Sequence, residues 1–191
     1  MAPHPLRTAI PLRPGRDLAA KGDKGDKIPP VSPSTLSLSA AMGVPVTTTL
    51  YNRDILRLAA SIPHLGRLER PGGSAIKSSP VCGSTVAVDV ALDGEGRVAA
   101  LAQDVKACAL GQASASLMGA HAIGRAPAEL AEARDLLATY LKKERDDPGN
   151  WPGLAIFAEA RPYAARHASI LLAFEAAAEA AAKAAAKDPG R

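Results

Sequence analysis

Two short β-branched segments joined by a Gly-containing turn constrain the fold of this chain more than any other feature. In TVAVDVAL, residues 85–92, valine recurs at every second position, as Val86, Val88 and Val90 alternate with Thr85, Ala87 and Asp89. DGEG at 93–96 is typical of a turn, and RVAALAQDV continues as a second strand. We therefore predict a β-hairpin over residues 85–105 and a third strand within 73–80. These strands form a small antiparallel β-sheet with one face free for helices.

Four segments carry apolar residues at helical spacing. The first covers residues 52–62 with Asn52 as its predicted N-cap, the second runs from residue 109, and the others cover 127–143 and 164–187. The predicted inward residues are, in chain order, Ile55, Leu58, Ala59, Ile62, Leu110, Ala113, Leu117, Ala120, Leu130, Ala133, Leu137, Tyr140, Ile170, Leu171, Phe174 and Ala178. These patterns predict an α+β fold, a small antiparallel β-sheet packed against several α-helices.

The chain divides into a leader and one patterned domain. Residues 1–45 are basic and Pro-rich and show no apolar periodicity, which predicts a disordered tail. Residues 46–187 are predicted to form the domain. The sequence MGVPVTTTLYN leads directly into the patterned region, so the native start is either Met1 or Met42.

Charge and hydropathy argue against two classes of partner, nucleic acids and membranes. The net charge is +4, but residues 1–41 hold six Lys or Arg and three Asp, a net +3, which leaves +1 for the other residues. A nucleic-acid-binding domain needs a basic patch on its folded part, so we expect no nucleic-acid partner. No apolar run reaches the roughly 18 residues that a membrane span needs, so we expect no membrane partner. With two cysteines and no secretory pattern, we expect a cytoplasmic protein with reduced thiols.

Both cysteines lie where regular elements are predicted to begin. Cys82 precedes the hairpin, next to Gly83, which lets the chain bend. Cys108 precedes a helix, where unpaired N–H groups and the nearby Lys106 favour a thiolate. From the residues alone, each cysteine is either a buried structural residue or a reactive or metal-binding thiol. Their spacing fits no zinc finger.

The segment SPVCGS…ALDGEGRVAALAQDVKACALGQASASLMG resembles the NifU-like (IscU-type) iron–sulfur cluster assembly scaffold domain. That family has Cys-Gly-Asp at the start of a strand, a hairpin, then Gly-Cys-Ala or a close variant and a Ser-rich helix start. The resemblance extends over about residues 50–180 and includes LYNRDIL near the front and RHASILLAFEA in the last helix. The segment around 141–160 is more similar to the sulfur-mobilisation branch than to the simplest housekeeping scaffolds.

The resemblance implies a site in which three cysteines, an aspartate and, in many members, a histidine hold zinc or a [2Fe–2S] cluster. Cys82 matches the first cysteine, Cys108 the second and His167 the histidine. Ser84 replaces the aspartate and Ala168 the third cysteine, and neither serine nor alanine is a good ligand for iron or zinc. One chain then offers two thiolates and His167 as a candidate third ligand, with a solvated or helix-capping histidine as the alternative. Two chains would supply the four thiolates that a cluster bridging a homodimer needs.

Three functional hypotheses follow from this resemblance. The first is a non-enzymatic scaffold that binds iron or a [2Fe–2S] cluster through Cys82 and Cys108, accepts sulfur from a cysteine desulfurase and serves Fe–S acceptor proteins. Cys108 is its predicted persulfide acceptor. The second is a sulfur-relay protein that carries a persulfide without a stable cluster. The third is a degenerate scaffold that only binds partners.

Overall fold

The computed structural model describes residues 50–187. The predicted tail, residues 1–45, and both candidate start positions lie outside the described residues. The elements are α1 (Arg53–Ala59), β1 (Gly73–Ser78), β2 (Thr85–Leu92), β3 (Val98–Lys106), α2 (Ala109–Ala122), α3 (Pro127–Leu141), a 3₁₀ helix (Leu154–Ala160) and α4 (Ala164–Lys187). The predicted α+β fold is confirmed.

The three strands form one antiparallel sheet in the order β1-β2-β3. The β2–β3 register pairs Thr85 with Lys106 at one end and Leu92 with Val98 at the other, so the predicted hairpin is confirmed. The predicted third strand is β1, which pairs Gly73 with Val90 and Ser78 with Thr85. One end of the sheet therefore holds the β1–β2 loop together with the start of α2.

Helix α4 packs against β1, β2, α2 and α3 and is the centre of the domain. Its alanines let it approach these neighbours closely, and the buried residues Phe174, Phe157 and Trp151 fill the larger spaces. The N-cap prediction is confirmed, because the Asn52 side chain accepts a hydrogen bond of 2.9 Å from the Ile55 amide at the start of α1.

Two burial patterns differ from the sequence-based expectation. Strand β2 is buried on both faces, because residues 65–68 cover the sheet on the face opposite α4; Leu65 bridges to Gln103, and the Leu68 amide contacts Asp89. In α2, Ala120 is exposed rather than inward, whereas Met118 and Ala122 are buried. Within residues 50–187, no helix is both long enough and apolar enough to cross a membrane.

Candidate functional site

The β1–β2 loop holds Cys82 in a closed turn. The Ser79 amide donates to the Ser84 carbonyl over 2.8 Å, and the Gly83 amide donates to the Ser79 carbonyl over 2.9 Å. Gly83 has φ +68°, a conformation that favours glycine, as its position after the cysteine predicted. Cys82 is half-buried in this loop, while its neighbour Val81 is 70% exposed. The thiol is thus fixed by backbone hydrogen bonds at the surface of the domain.

Cys108 is the N-cap residue of α2, with φ −65° and ψ 167°. Its carbonyl accepts the first helical hydrogen bond from Gln112 over 2.9 Å. Its sulfur makes no capping hydrogen bond to the helix amides and lies 3.0 Å from the Ser169 hydroxyl on α4. The thiol is therefore available for interactions outside its own helix.

Two buried hydroxyls connect the two thiols. The Cys82 thiol donates to Ser84 Oγ over 3.1 Å, and Ser84 Oγ lies 3.5 Å from Ser169 Oγ. Ser169 Oγ in turn contacts the Cys108 sulfur. The structure thus brings together Cys82, Cys108 and Ser84, three residues that the sequence identified. It adds Ser169, which the sequence analysis missed although it directly follows Ala168.

Small residues at the α2–α4 contact allow Ser169 to reach this position. A Cβ atom on Gly111 would lie 2.8 Å from Ser169 Oγ and 3.0 Å from its carbonyl oxygen, so any other residue would push α4 away. Nearby, the buried Ser114 hydroxyl donates to the Ile170 carbonyl over 2.6 Å and ties the two helices together. The Ser-rich, small-residue start of α2 therefore positions α4 against the thiols.

The environment of Cys82 favours its thiolate. The hydroxyls of Ser79 and Ser84, followed by the Ser84 backbone amide, lower the pKa of Cys82 from its ordinary 9.0 to about 7. Burial acts in the opposite direction, and Ser169 adds a smaller lowering effect. A hydrogen-bond donor that stabilises the charged form lowers the pKa of a thiol, which makes the sulfur a better nucleophile and metal ligand at neutral pH.

His167 lies beside the 3₁₀ helix. Its Nε2 is 3.2 Å from the Ala160 carbonyl oxygen and 3.2 Å from the Arg161 carbonyl oxygen. A nitrogen in this position donates a proton to the carbonyls, so only Nδ1 keeps a lone pair in that tautomer. The role of His167 as a metal ligand stays a prediction. Ala168, which follows it, contributes no ligand atom.

The donor set of one chain is two thiols and two hydroxyls. Among the residues that the structure describes, no group of three or more His, Cys, Asp or Glu side chains gathers where a metal ion could bind. Both cysteines are free thiols. A [2Fe–2S] cluster takes four strong ligands, so one chain does not match it, whereas the four thiols of two chains would.

No family model matches the chain, and no curated protein matches it. A solved structure of a nitrogen-fixing NifU-like protein (N-terminal part) from Brucella abortus is similar to it at 40% sequence identity and a TM-score of 0.66. This match covers 70% of this chain and 93% of the Brucella chain. A second solved structure, assigned as an iron–sulfur cluster assembly scaffold protein for the SUF system of Fervidobacterium islandicum AW-1, shares the fold at 19% identity. Its TM-score is 0.65, and the match covers 71% of this chain and 98% of that one.

Proposed function

The chain belongs to the NifU-like family, and from this membership we propose that it is a scaffold for iron–sulfur cluster assembly with Cys82 and Cys108 at its working end. The observation that carries the proposal is the meeting of the two thiols at one end of the sheet, joined through the hydroxyls of Ser84 and Ser169. Thiolates are preferred ligands of iron in clusters and also of zinc. Iron, or a cluster built from it, is the cargo of this site.

A cluster would be shared between two copies of the chain. One copy supplies two thiolates, and the hydroxyls that replace carboxylate and thiolate ligands bind iron weakly. Two copies placed end to end at the β1–β2 loops would supply four thiolates. The exposed side chain of Val81 beside Cys82 offers apolar surface for this contact. The proposed assembly is therefore a homodimer that forms when the cluster is loaded.

Sulfur would arrive as a persulfide from a cysteine desulfurase in the cytoplasm, and Fe–S acceptor proteins would receive the product. Cys108 stays the predicted acceptor of this sulfur, since it is the N-cap residue of α2, the end of a helix at which the dipole favours an anion. A sulfur relay without a stable cluster is the second candidate function. It is favoured by one observation, the hydroxyls that stand around the thiols where stronger metal ligands would be needed.

The proposal is tested by anaerobic reconstitution of the purified protein with iron, sulfide and reductant. We expect a thiolate-to-iron absorption band, about two iron atoms per dimer, and elution at dimer size. The variants Cys82→Ser and Cys108→Ser should each abolish the band. His167→Ala should lower iron retention only if His167 is a ligand. Equal iron content in the wild type and both cysteine variants would reject the scaffold and leave the sulfur relay and the degenerate, partner-binding form.

A further inference from the structure

One buried hydroxyl beside Cys82 is unexplained by the fold. Ser79 is 3% exposed, and its Oγ finds no hydrogen-bond partner within residues 50–187. Leaving a buried polar group unpaired costs free energy, so native structures rarely keep one without a partner, water or ligand. Ser79 closes the loop that carries Cys82, since the Gly83 amide donates to the Ser79 carbonyl over 2.9 Å, and its hydroxyl favours negative charge on the Cys82 sulfur. The Ser79 hydroxyl is therefore free to donate a hydrogen bond to an anion bound at this loop.

The closed loop that holds Cys82 carries a serine hydroxyl at each end. Ser79 and Ser84 stand at the two ends of the loop, held together by the 2.8 Å hydrogen bond from the Ser79 amide to the Ser84 carbonyl. Cys82 lies between them, with its sulfur 3.1 Å from Ser84 Oγ. The backbone thus fixes the two serines at the ends of the loop that holds this sulfur.

The hydrogen bonds that link Cys82, Ser84, Ser169 and Cys108 all run in the same direction, because each hydroxyl has only one proton to donate. When the Cys82 sulfur is anionic, Ser84 donates to it, Ser169 donates to Ser84, and the neutral Cys108 thiol donates to Ser169. The opposite polarity would place the anion at Cys108. Ser79 breaks this symmetry, because its unpaired hydroxyl belongs to the loop that carries Cys82 and not to the start of α2.

We propose that the hydroxyls of Ser79, Ser84 and Ser169 form a cradle that holds a sulfane sulfur on Cys82 as an anionic persulfide. The inference rests on the proposed function and departs from it at one point, because it places the received sulfur on Cys82 and not on Cys108. Hydroxyl groups donate well to an anion but ligate iron and zinc poorly. The cradle therefore explains serine at positions where a metal site needs stronger ligands. It also makes one chain sufficient for storing sulfur.

The loading step is a transfer of sulfane sulfur between thiols. The Cys82 thiolate attacks the outer sulfur of a persulfide on the donor thiol, and a new S–S bond forms on Cys82. The S–S bond of the donor breaks, and its electron pair leaves with the donor sulfur as a thiolate. One sulfur atom and its proton move together, and no external oxidant or reductant is needed. The new outer sulfur then loses its proton to solvent and accepts the hydroxyl hydrogen bonds.

The experiment loads the full-length protein with inorganic polysulfide, removes the excess and follows the added sulfur by peptide mass spectrometry. In the wild type we expect one added sulfur on Cys82. Ser79→Ala and Ser84→Ala should each shorten its half-life about tenfold, the loss expected for one hydrogen bond to a charged group. Ser169→Ala, which acts through Ser84, should have a smaller effect. Ser79→Thr keeps a hydroxyl and should restore retention.

Ser116→Ala is the matched control, because its buried hydroxyl donates to the Ser61 carbonyl on another part of the domain. It should retain sulfur at the wild-type rate, and circular dichroism should show that every variant is folded. Wild-type retention in both Ser79→Ala and Ser84→Ala would overturn the cradle. So would added sulfur found on Cys108 and not on Cys82.

The same samples are reconstituted with iron, so that the two proposals fail separately. A wild type that retains no sulfur but forms an iron-loaded dimer would overturn the cradle and leave the scaffold standing. A wild type that retains sulfur on Cys82 in a serine-dependent way, but binds no iron, would support the cradle and remove cluster assembly from the proposed function.

Discussion

At the scale of single residues, Cys82 differs from an ordinary surface thiol in its acidity. With a pKa of about 7, set first by Ser79 and then by Ser84, roughly half of its molecules carry a thiolate at neutral pH. A thiol with the ordinary pKa of 9.0 would be about 1% ionised there. Reaction with an electrophile at pH 7 should therefore report the two serine hydroxyls directly.

We predict that alkylation of Cys82 by iodoacetamide, resolved by peptide mass spectrometry, rises with pH around a midpoint of about 7. The rate rises because deprotonation produces the reactive thiolate. Ser79→Ala removes the largest stabilising hydroxyl and should move the midpoint upward, toward 9.0. A wild-type midpoint near 9, or one that Ser79→Ala leaves in place, would contradict this account.

The sequence identified part of this site and could not identify the rest. Cys82, Cys108 and Ser84 follow from the resemblance and the hairpin, since both cysteines flank paired strands. Ser169 depends on the rotation of α4 about its axis. One position along a helix turns the side chain by about 100°, so neither periodicity nor the match at Ala168 could place it. Ser79 depends on the closure of the loop by its own backbone hydrogen bonds, which sequence patterns do not show.

At the scale of elements, the first residue of β1 meets the backbone of α4 without a side chain of its own. A Cβ atom on Gly73 would overlap the Ala180 carbonyl oxygen and lie 2.5 Å from the Ala184 amide nitrogen. Both atoms belong to the helix backbone and cannot rotate away. The first residue of β1 must therefore be glycine for α4 to lie across the sheet.

We predict that Gly73→Ala lowers the free energy of unfolding by about 3 kcal/mol, because overpacking against fixed backbone forces the strand and helix apart. Chemical denaturation followed by the fluorescence of the buried Trp151, the only tryptophan, measures this. Gly72→Ala is the neighbouring control. Its Cβ would lie 3.2 Å from Ala184 Cβ and 3.3 Å from the Val90 carbonyl, so a cost below about 1 kcal/mol is expected. Equal stability of the two variants would refute this packing argument.

The elements themselves were largely accessible from sequence. The hairpin, the third strand and four helices are confirmed, because alternation and helical spacing reflect which side faces the core. The prediction that Ala120 faces inward was wrong, and the alternation in β2 did not show that both of its faces are buried. A polar residue such as Asp89 on the second face of a strand suggests from sequence that this face is exposed to solvent. Only the covering segment, residues 65–68, shows that this face is also buried.

At the scale of the whole molecule, Asp89 joins three parts of the chain. Its carboxylate accepts hydrogen bonds from the Arg67 guanidinium at 2.6 and 2.8 Å, from the Leu68 amide and from the Ser74 hydroxyl. Only 1% of its side chain is exposed. The Arg67 contact, followed by the Ser74 hydroxyl and the Leu68 amide, lowers the pKa of Asp89 to about 2 against the desolvation that burial imposes. The covering segment is thus tied to the sheet by an ionised group.

We predict that this group contributes about 2 kcal/mol to the free energy of unfolding at neutral pH. Because the folded-state pKa is depressed, the contribution is full above the unfolded-state pKa of about 4. It is lost as the pH falls from about 4 to about 2. Asp89→Asn should remove it and flatten the pH profile of stability in this interval. Asp104→Asn, which removes the same charge at a half-exposed position on the next strand, controls for net charge. Identical profiles for Asp89→Asn and the wild type would exclude this role.

The antiparallel pairing of β2 with β3 has a mechanical consequence for the site. The last pair, Thr85 with Lys106, lies only a few residues from both cysteines. The hairpin therefore fixes the distance between the two thiols. Ser169 lies on α4, a separate element that contacts Ser84 and Cys108 through this hydroxyl. A partner that slides α4 along the sheet would disconnect the hydroxyl bridge and leave the thiols at their original separation. The separation of the thiols and the hydrogen bonds that connect them therefore depend on different elements, the hairpin and α4.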